Sequence, residues 1–203
     1  MESSGKATQT SINPPARPIR LFCAYSKRYR DLSTSGGLCS EAAAYAISRW
    51  GMAFGAAYAP DFRSVRTIGV DNMHDWFRLI SKSKYTECLN ADFHSIRKLL
   101  DSGRCVVFTG SPCQVKALMD EVGYGYGNLF TVDFLCHGYC RTDVLRRFVD
   151  DLESSRGKRV VSLDMRPRHN VKVRCVFEDG SVFEDEGDFQ NGSVFKIFLN
   201  KAD

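Results

Sequence analysis

Apolar positions along this chain fall into short runs separated by polar turns, and the runs alternate between helical and strand-like periods. Residues 38–50 are rich in alanine, contain no glycine or proline, and predict a helix that Gly51 ends. Residues 52–58 and 65–70 read as two strands joined by a turn at Ala59-Pro60-Asp61. Asn72 suits the N-cap of a helix running to about Ile80, and a polar loop over 81–85 follows. A second short helix over 93–100 is stopped by Ser102-Gly103. Residues 105–109 form a continuous apolar run, the pattern of a strand buried on both faces. Gly110-Ser111-Pro112 then turns the chain, and Pro112 fits the first turn of a helix reaching about Met119. Residues 129–135 read as another buried strand, closed by Cys136-His137-Gly138, and 144–152 as a helix.

Strand, helix and strand over 105–135 make a βαβ unit, which places two parallel strands side by side or nearly so. Beyond Arg156-Gly157-Lys158 the texture changes to strand-like runs over 160–165, 171–177 and 181–184, with a turn at Glu178-Asp179-Gly180. The expected fold class is therefore α/β: a mixed, partly parallel sheet with a βαβ core and a β-rich C-terminal extension. Residues 1–18, rich in Ser, Thr and Pro, read as a flexible tail. Residues 19–157 read as the α/β cofactor-binding domain and 158–203 as the β-rich extension, expected to be truncated.

Composition narrows the class. At 43% hydrophobic and 12% aromatic, the 203 residues can build a real core. No apolar run is long enough for a membrane-spanning helix, and the polar N-terminus is no signal peptide, so a cytoplasmic location is expected. A net charge of +4 mildly favours an anionic ligand and is too small and unclustered for a nucleic-acid protein. Eight cysteines at irregular spacing, without an export signal, point to buried thiols plus a few metal or cluster ligands rather than a disulfide framework.

The parallel strands direct the loops after Thr109 and after residue 135 to one sheet edge, where open α/β sheets bind ligands. Cys113 and Cys136-His137 are thus expected to face one crevice. Gly110-Ser111-Pro112 opens a helix whose N-terminus attracts anions, and a thiol there, Cys113, is a better nucleophile or ligand; the bland alternative is a first-turn core residue. Ser33-Thr34-Ser35-Gly36-Gly37 repeats the logic before the first helix, as a phosphate loop or a plain N-cap, without the spacing of a P-loop or a dinucleotide fingerprint. Ser83-Lys84-Tyr85 offers a cation and a stacking ring, or simply a polar loop. His74, His94 and His169, and the basic positions Arg166, Arg168, Lys172 and Arg174, read as solvated, and the cysteine spacing speaks against zinc.

In their order, Ser35-Gly36-Gly37, Gly55-Ala56-Ala57-Tyr58, Ser83-Lys84-Tyr85, Thr109-Gly110-Ser111-Pro112-Cys113-Gln114 and Asp133-Phe134-Leu135-Cys136-His137-Gly138 resemble the beta-subunit family of coenzyme F-420-reducing hydrogenases and dehydrogenases. The resemblance spans about residues 19–198. It implies a flavin-dependent iron–sulfur oxidoreductase that binds FAD, carries 4Fe-4S clusters, and exchanges electrons with a deazaflavin, a ferredoxin or another redox partner protein. On it, Ser35, Gly36, Gly37, Ser83, Lys84, Tyr85, Thr109, Gly110, Ser111, Pro112 and Gln114 hold the cofactor. Cys113 and Cys136 become cluster ligands, with Cys140 a third, and His137 the proton donor. Two departures stand out: the family's ferredoxin-like segment does not precede Ile19, and its Cys-x-x-Cys segment is expected just where this sequence stops. The ligand set for a cluster is therefore short. The resemblance leaves two readings, a flavin oxidoreductase domain and a cofactor-depleted binding or assembly subunit, linked in some relatives to exopolysaccharide synthesis. A thiol-dependent transferase using Cys113 is a third.

Overall fold

The computed structural model describes residues 22–89, 92–136, 138–167 and 173–185. The predicted tail over 1–18, His137, Arg168, His169, Lys172 and the stretch 186–203 lie outside them.

The elements follow the predicted order. Helix α1 (Leu38–Ile47) leads into the hairpin β1 (Met52–Tyr58) and β2 (Val65–Val70), then α2 (Met73–Asp75) with a widened π-helical turn (Trp76–Ile80). Strand β3 (Cys88–Leu89), helix α3 (Phe93–Asp101), strand β4 (Val106–Gly110), helix α4 (Pro112–Val122) and strand β5 (Leu129–Asp133) complete a first layer system. Helix α5 (Thr142–Arg156) then precedes β6 (Val160–Asp164), β7 (Arg174–Phe177) and β8 (Val182–Glu184). The five-stranded sheet has the order β3-β2-β1-β4-β5 and the second sheet the order β6-β7-β8. In the first, β1 and β2 pair antiparallel while β2–β3, β1–β4 and β4–β5 are parallel; the second is antiparallel throughout. The sheet is mixed and the βαβ core present, as the pattern predicts.

Alternation along β4 builds the core on both faces. Val107 packs with Ala43, Ala46, Ala53, Trp76 and Ile80 beneath α1 and the π turn. Val106 and Phe108 pack with Phe54, Ile96, Leu100, Leu118 and Val122 beneath α3 and α4. Each buried Val, Leu, Ile or Phe among them stabilises the fold by about 1.5–3 kcal/mol relative to exposure. The second sheet buries Leu163, Met165, Cys175 and Phe177 against Leu145, Val149 and Leu152 of α5, with Val65 and Cys140 sharing that core. Arg63 ties the β1–β2 hairpin to α5, its Nε donating to Asp150 Oδ1 at 2.8 Å and an Nη to Glu153 Oε2 at 2.6 Å.

Three expectations need correction. The run 129–135 is not a strand buried on both faces: β5 is the outer strand of its sheet, with Phe130, Phe134 and Leu135 exposed to 43%, 56% and 91%. Its neighbour β4 covers one side only, so an apolar run that reads as central lies at an edge. The helix after Asn72 is regular only to Asp75, although Asn72 Oδ1 accepts from Asp75 N at 2.8 Å as an N-cap should. It widens where Trp76 turns inward and its Nε1 donates to Ser40 Oγ at 3.0 Å. Finally, Arg166 and Arg174 are half-buried rather than freely solvated, and Arg174 pairs with Glu184.

Candidate functional site at the carboxyl edge of the parallel strands

Gly110 at the end of β4 pairs with Asp133 at the end of β5, so the loops bearing Cys113 and Cys136 leave the sheet from adjacent positions on one edge. Both thiols are exposed. Cys113 lies in the first turn of α4, its Sγ 3.1 Å from Ser111 Oγ. The N-terminus of α4 is closed by its own residues: Gln114 Oε1 accepts from Ser111 N at 2.8 Å and from Ser111 Oγ at 3.0 Å in a capping box. Gln114 Nε2 reaches across to Cys88 O at 3.4 Å. Thr109 Oγ1 donates to Phe54 O at 3.3 Å, and Pro112 is exposed.

The first helix starts differently. Gly37, at φ +80°, is the N-cap of α1 and makes no side-chain cap. A Cβ there would stand 3.0 Å from Tyr29 C and 3.1 Å from Arg30 N, so the close approach of 29–30 requires glycine. Of the hydroxyls before it, Ser33 bonds Ser40 inside α1 at 2.9 Å, and Thr34 Oγ1 accepts from Ser83 N at 3.0 Å. Ser35 is exposed and Gly36 half-buried. The exposed Arg30 guanidinium stacks on Tyr25, whose Cα stands 3.7 Å from a Cβ built on Gly36, and Arg28 stacks on Tyr29. Both arginines belong to the segment packed on Gly37, which is itself buried, and the helix that begins there has no side-chain cap; cations and a helix N-terminus each favour an anion. Glu41 in the first turn accepts from Ser26 Oγ at 2.6 Å and already supplies one carboxylate to that helix end.

Loop 81–87 joins these pieces. Besides Ser83 N on Thr34, Tyr85 O accepts from Cys140 N at 3.0 Å and Glu87 N donates to Cys140 O at 2.8 Å. Lys84 does not present a cation to the crevice, as Ser83-Lys84-Tyr85 suggests it would. It is 6% exposed, and its Nζ donates to Leu79 O, Ile80 O and Lys82 O at 2.8, 3.1 and 2.7 Å. Burial pushes the ammonium down to about 7, against the opposing pull of Asp164 and Cys88. Tyr85 is half-buried at φ +48°.

Cys140 is likewise no exposed ligand. It is buried, its Sγ lies 3.3 Å from Thr86 Oγ1, and burial pushes its thiol up to about 11, away from the thiolate a metal binds. Among the described residues no three of His, Cys, Asp and Glu come together to hold a metal ion, so the donors present do not fit a 4Fe-4S cluster, which takes four thiolates. His137 lies outside the described residues. The structure thus joins Ser33–Gly37, Ser83–Tyr85 and the Cys140 segment by direct bonds, and brings Ser111–Gln114 to β3 through Gln114. Thr34 lies in the predicted phosphate or N-cap loop but accepts from Ser83 N instead; spacing along the chain carries no signal for Tyr25, Arg30 or Thr86, whose roles depend on contacts between segments. An open depression of about 630 Å³ lined by Arg156, Arg174, Val182, Phe183 and Glu184 belongs to α5 and the second sheet, away from these loops.

No protein-family model matches the chain, and no curated protein matches it. Five chains of known structure do. One belongs to the F420-reducing NiFe hydrogenase complex from Methanosarcina barkeri, at 17% identity and a TM-score of 0.52, covering 79% of this chain and 57% of that one. The chain thus spans little more than half of that neighbour's length, and what the two share is the fold.

Proposed function

We propose that this chain is the flavin-binding domain of an oxidoreductase, moving electrons or hydride between FAD and a deazaflavin such as coenzyme F-420 or an iron–sulfur partner. The observation that carries this reading is the joining of three sequence-distant loops beside the uncapped N-terminus of α1 and the Arg28 and Arg30 side chains. The fold it shares with a chain of an F420-reducing hydrogenase complex supports the same reading. Ser35, Gly36 and Gly37 would take the phosphates, since α1 lacks an internal cap. Ser83 and Tyr85, together with the Thr109–Gln114 loop, would flank the rest of the cofactor. Lys84 enters through the shape of its loop, its Nζ being spent on three carbonyls. When bound, FAD supplies the electron and hydride chemistry; the protein's part is to bind it, orient it and exclude water.

The residues would suit the anionic end of such a cofactor, because α1 begins without a side-chain cap and the preceding segment carries Arg28 and Arg30. They do not fit a cluster among the described residues, and no step is routed through one. That shortfall favours the second reading, a cofactor-depleted binding or assembly subunit. An absorption spectrum of anaerobically purified protein, with and without added FAD, together with iron and sulfide assays, separates the two. A flavin spectrum near one equivalent supports the first reading; a colourless protein that ignores FAD overturns it.

A further inference from the structure

Among the described residues four strands form the outer edges of the two sheets, β3 and β5 in the first and β6 and β8 in the second. A free edge offers unpaired N–H and C=O groups to another strand, and shortness, bulges, charge or proline keep such edges apart. Three of these edges are guarded in that way. β3 spans two residues, and β8 spans three and ends on Glu184, paired with Arg174. β6 follows Lys158 and Arg159 and carries a register shift between Val160 and Ser162. β5 has no such guard. It pairs with β4 in unbroken register and holds no proline and no charge before Asp133. Phe130, Thr131 and Asp133 are exposed, and the exposed Phe134 and Leu135 follow.

The bonds to β4 fix which groups of β5 face outward. Val106 N donates to Asn128 O at 2.9 Å, so Asn128 points to β4, and by the strand's period of two so do Phe130 and Val132. Leu129, Thr131 and Asp133 therefore direct their N–H and C=O groups to the open edge. Two such edges, laid antiparallel about a two-fold axis at Thr131, match group for group. Thr131 pairs with its own copy, and Leu129 of each chain pairs with Asp133 of the other. No carboxylate then opposes a carboxylate, since each Asp133 faces a leucine. Phe130 of each copy meets Val132 of the other, on the face where Tyr45 of α1 already packs edge-on against Phe130, ring centroids 5.7 Å apart.

We propose that β5 is the interface of a homodimer, in which the five-stranded sheets of two copies join edge to edge through an antiparallel β5–β5 pair. The strand is its own complement in hydrogen bonds and in charge, which is what a symmetric interface requires. Joining the edges also covers Phe130, Phe134 and Leu135. With the strand itself they remove about 500 Å² from each copy, or about 1,000 Å² in all, the lower limit of a specific interface. The dimer is accordingly a weak one whose population follows concentration. Because the pair is antiparallel, the carboxyl edges of the two sheets lie at opposite ends of the joined sheet. Each copy keeps its own Cys113 and Cys136 loops, and the dimer does not rest on the flavin reading.

Sedimentation velocity of the full chain between about 1 and about 200 μM, with amide hydrogen exchange at both ends of that range, tests this. A monomer–dimer equilibrium is expected. The amides of Leu129, Thr131 and Asp133 should exchange freely when dilute and gain at least about tenfold protection when concentrated, while Phe130 and Val132, bonded to β4, stay protected at both. Thr131→Lys sets two ammonium groups against each other on the axis, and Thr131→Pro removes an outward N–H that β4 does not use. Each should weaken the dimer at least about tenfold, and Val161→Lys, at an exposed position of β6, should leave it unchanged. A monomer at every concentration overturns the proposal, as does association that runs past the dimer. A dimer that keeps the three outward amides free, or that survives both Thr131 variants, overturns it too. The exchange profile needs no variant, so it decides the matter even if a substituted chain fails to fold. A monomer whose outward amides are protected when dilute also contradicts it, because the edge is then covered from within the chain.

Discussion

Helices α1 and α4 both begin in short loops of glycine and serine, and from sequence both look ready for a phosphate. At α4 the chain answers its own helix end in part: Gln114 Oε1 accepts from Ser111 N and Ser111 Oγ in a capping box, so the N-cap amide has a partner. At α1 the N-cap is Gly37, which has no side chain to offer, while the neighbouring hydroxyls of Ser33 and Thr34 are spent on Ser40 and Ser83. The segment packed on Gly37 carries the exposed Arg28 and Arg30, stacked on Tyr29 and Tyr25. Two loops of similar composition thus have different capacities, and what separates them is which polar groups the fold has already used.

The comparison breaks most visibly at the glycines. Gly37→Val forces a branched side chain into φ +80° with backbone atoms at 3.0–3.1 Å, and should cost at least about 2 kcal/mol in a denaturant titration. Gly110→Ala meets only the side chains of Gln114 and Phe108, at 3.0 Å, and should cost about 1 kcal/mol. A larger loss at Gly110 would reverse the assignment of which loop the fold constrains more tightly. Ser40→Ala leaves the buried Trp76 Nε1 without its acceptor and should cost about 1–3 kcal/mol by the same measurement, with the α4 end untouched.

Proton linkage sharpens the contrast, because the α1 loop is bonded to the loop of Lys84 and the α4 box is not. The folded-state value of Lys84 lies near 7, below that of the unfolded chain, so the unfolded state binds more protons above neutrality. Stability should rise from about pH 7 toward pH 8.5, by no more than about 1.4 kcal/mol per unit. Cys140 and Cys175, pushed up to about 11 and about 12 by burial, act oppositely: the unfolded thiols ionise first and stability falls above about pH 9. Midpoints of urea unfolding across that range should show a maximum between the two, and Lys84→Met should remove the rising limb. Ser111→Ala should cost about 1 kcal/mol through the lost cap and leave FAD affinity alone. Ser35→Ala, at an exposed position, should change stability by less than about 0.5 kcal/mol and still weaken FAD.

Much of the architecture is legible in the chain. The spans 52–58 and 65–70 match β1 and β2, and the apolar run before Gly110 is the doubly covered strand its pattern implies. The run 129–135 misleads because a strand's own residues do not record how many neighbours it has; β5 has one. The site was legible as a set of motifs and not as a set of roles. Ser83-Lys84-Tyr85 reads as a polar loop because composition carries no signal that Nζ finds three carbonyls inside. Cys140 reads as a ligand because spacing does not report burial.

The most direct test of the central claim is an FAD titration of the full chain, followed by flavin fluorescence, in the wild type, Arg30→Ala and Ser111→Ala. Saturation near one equivalent, weakened severalfold by Arg30→Ala and unchanged by Ser111→Ala, is the result expected of a flavin seated at the α1 corner. Absence of binding in the wild type, or a loss confined to Ser111→Ala, would contradict it.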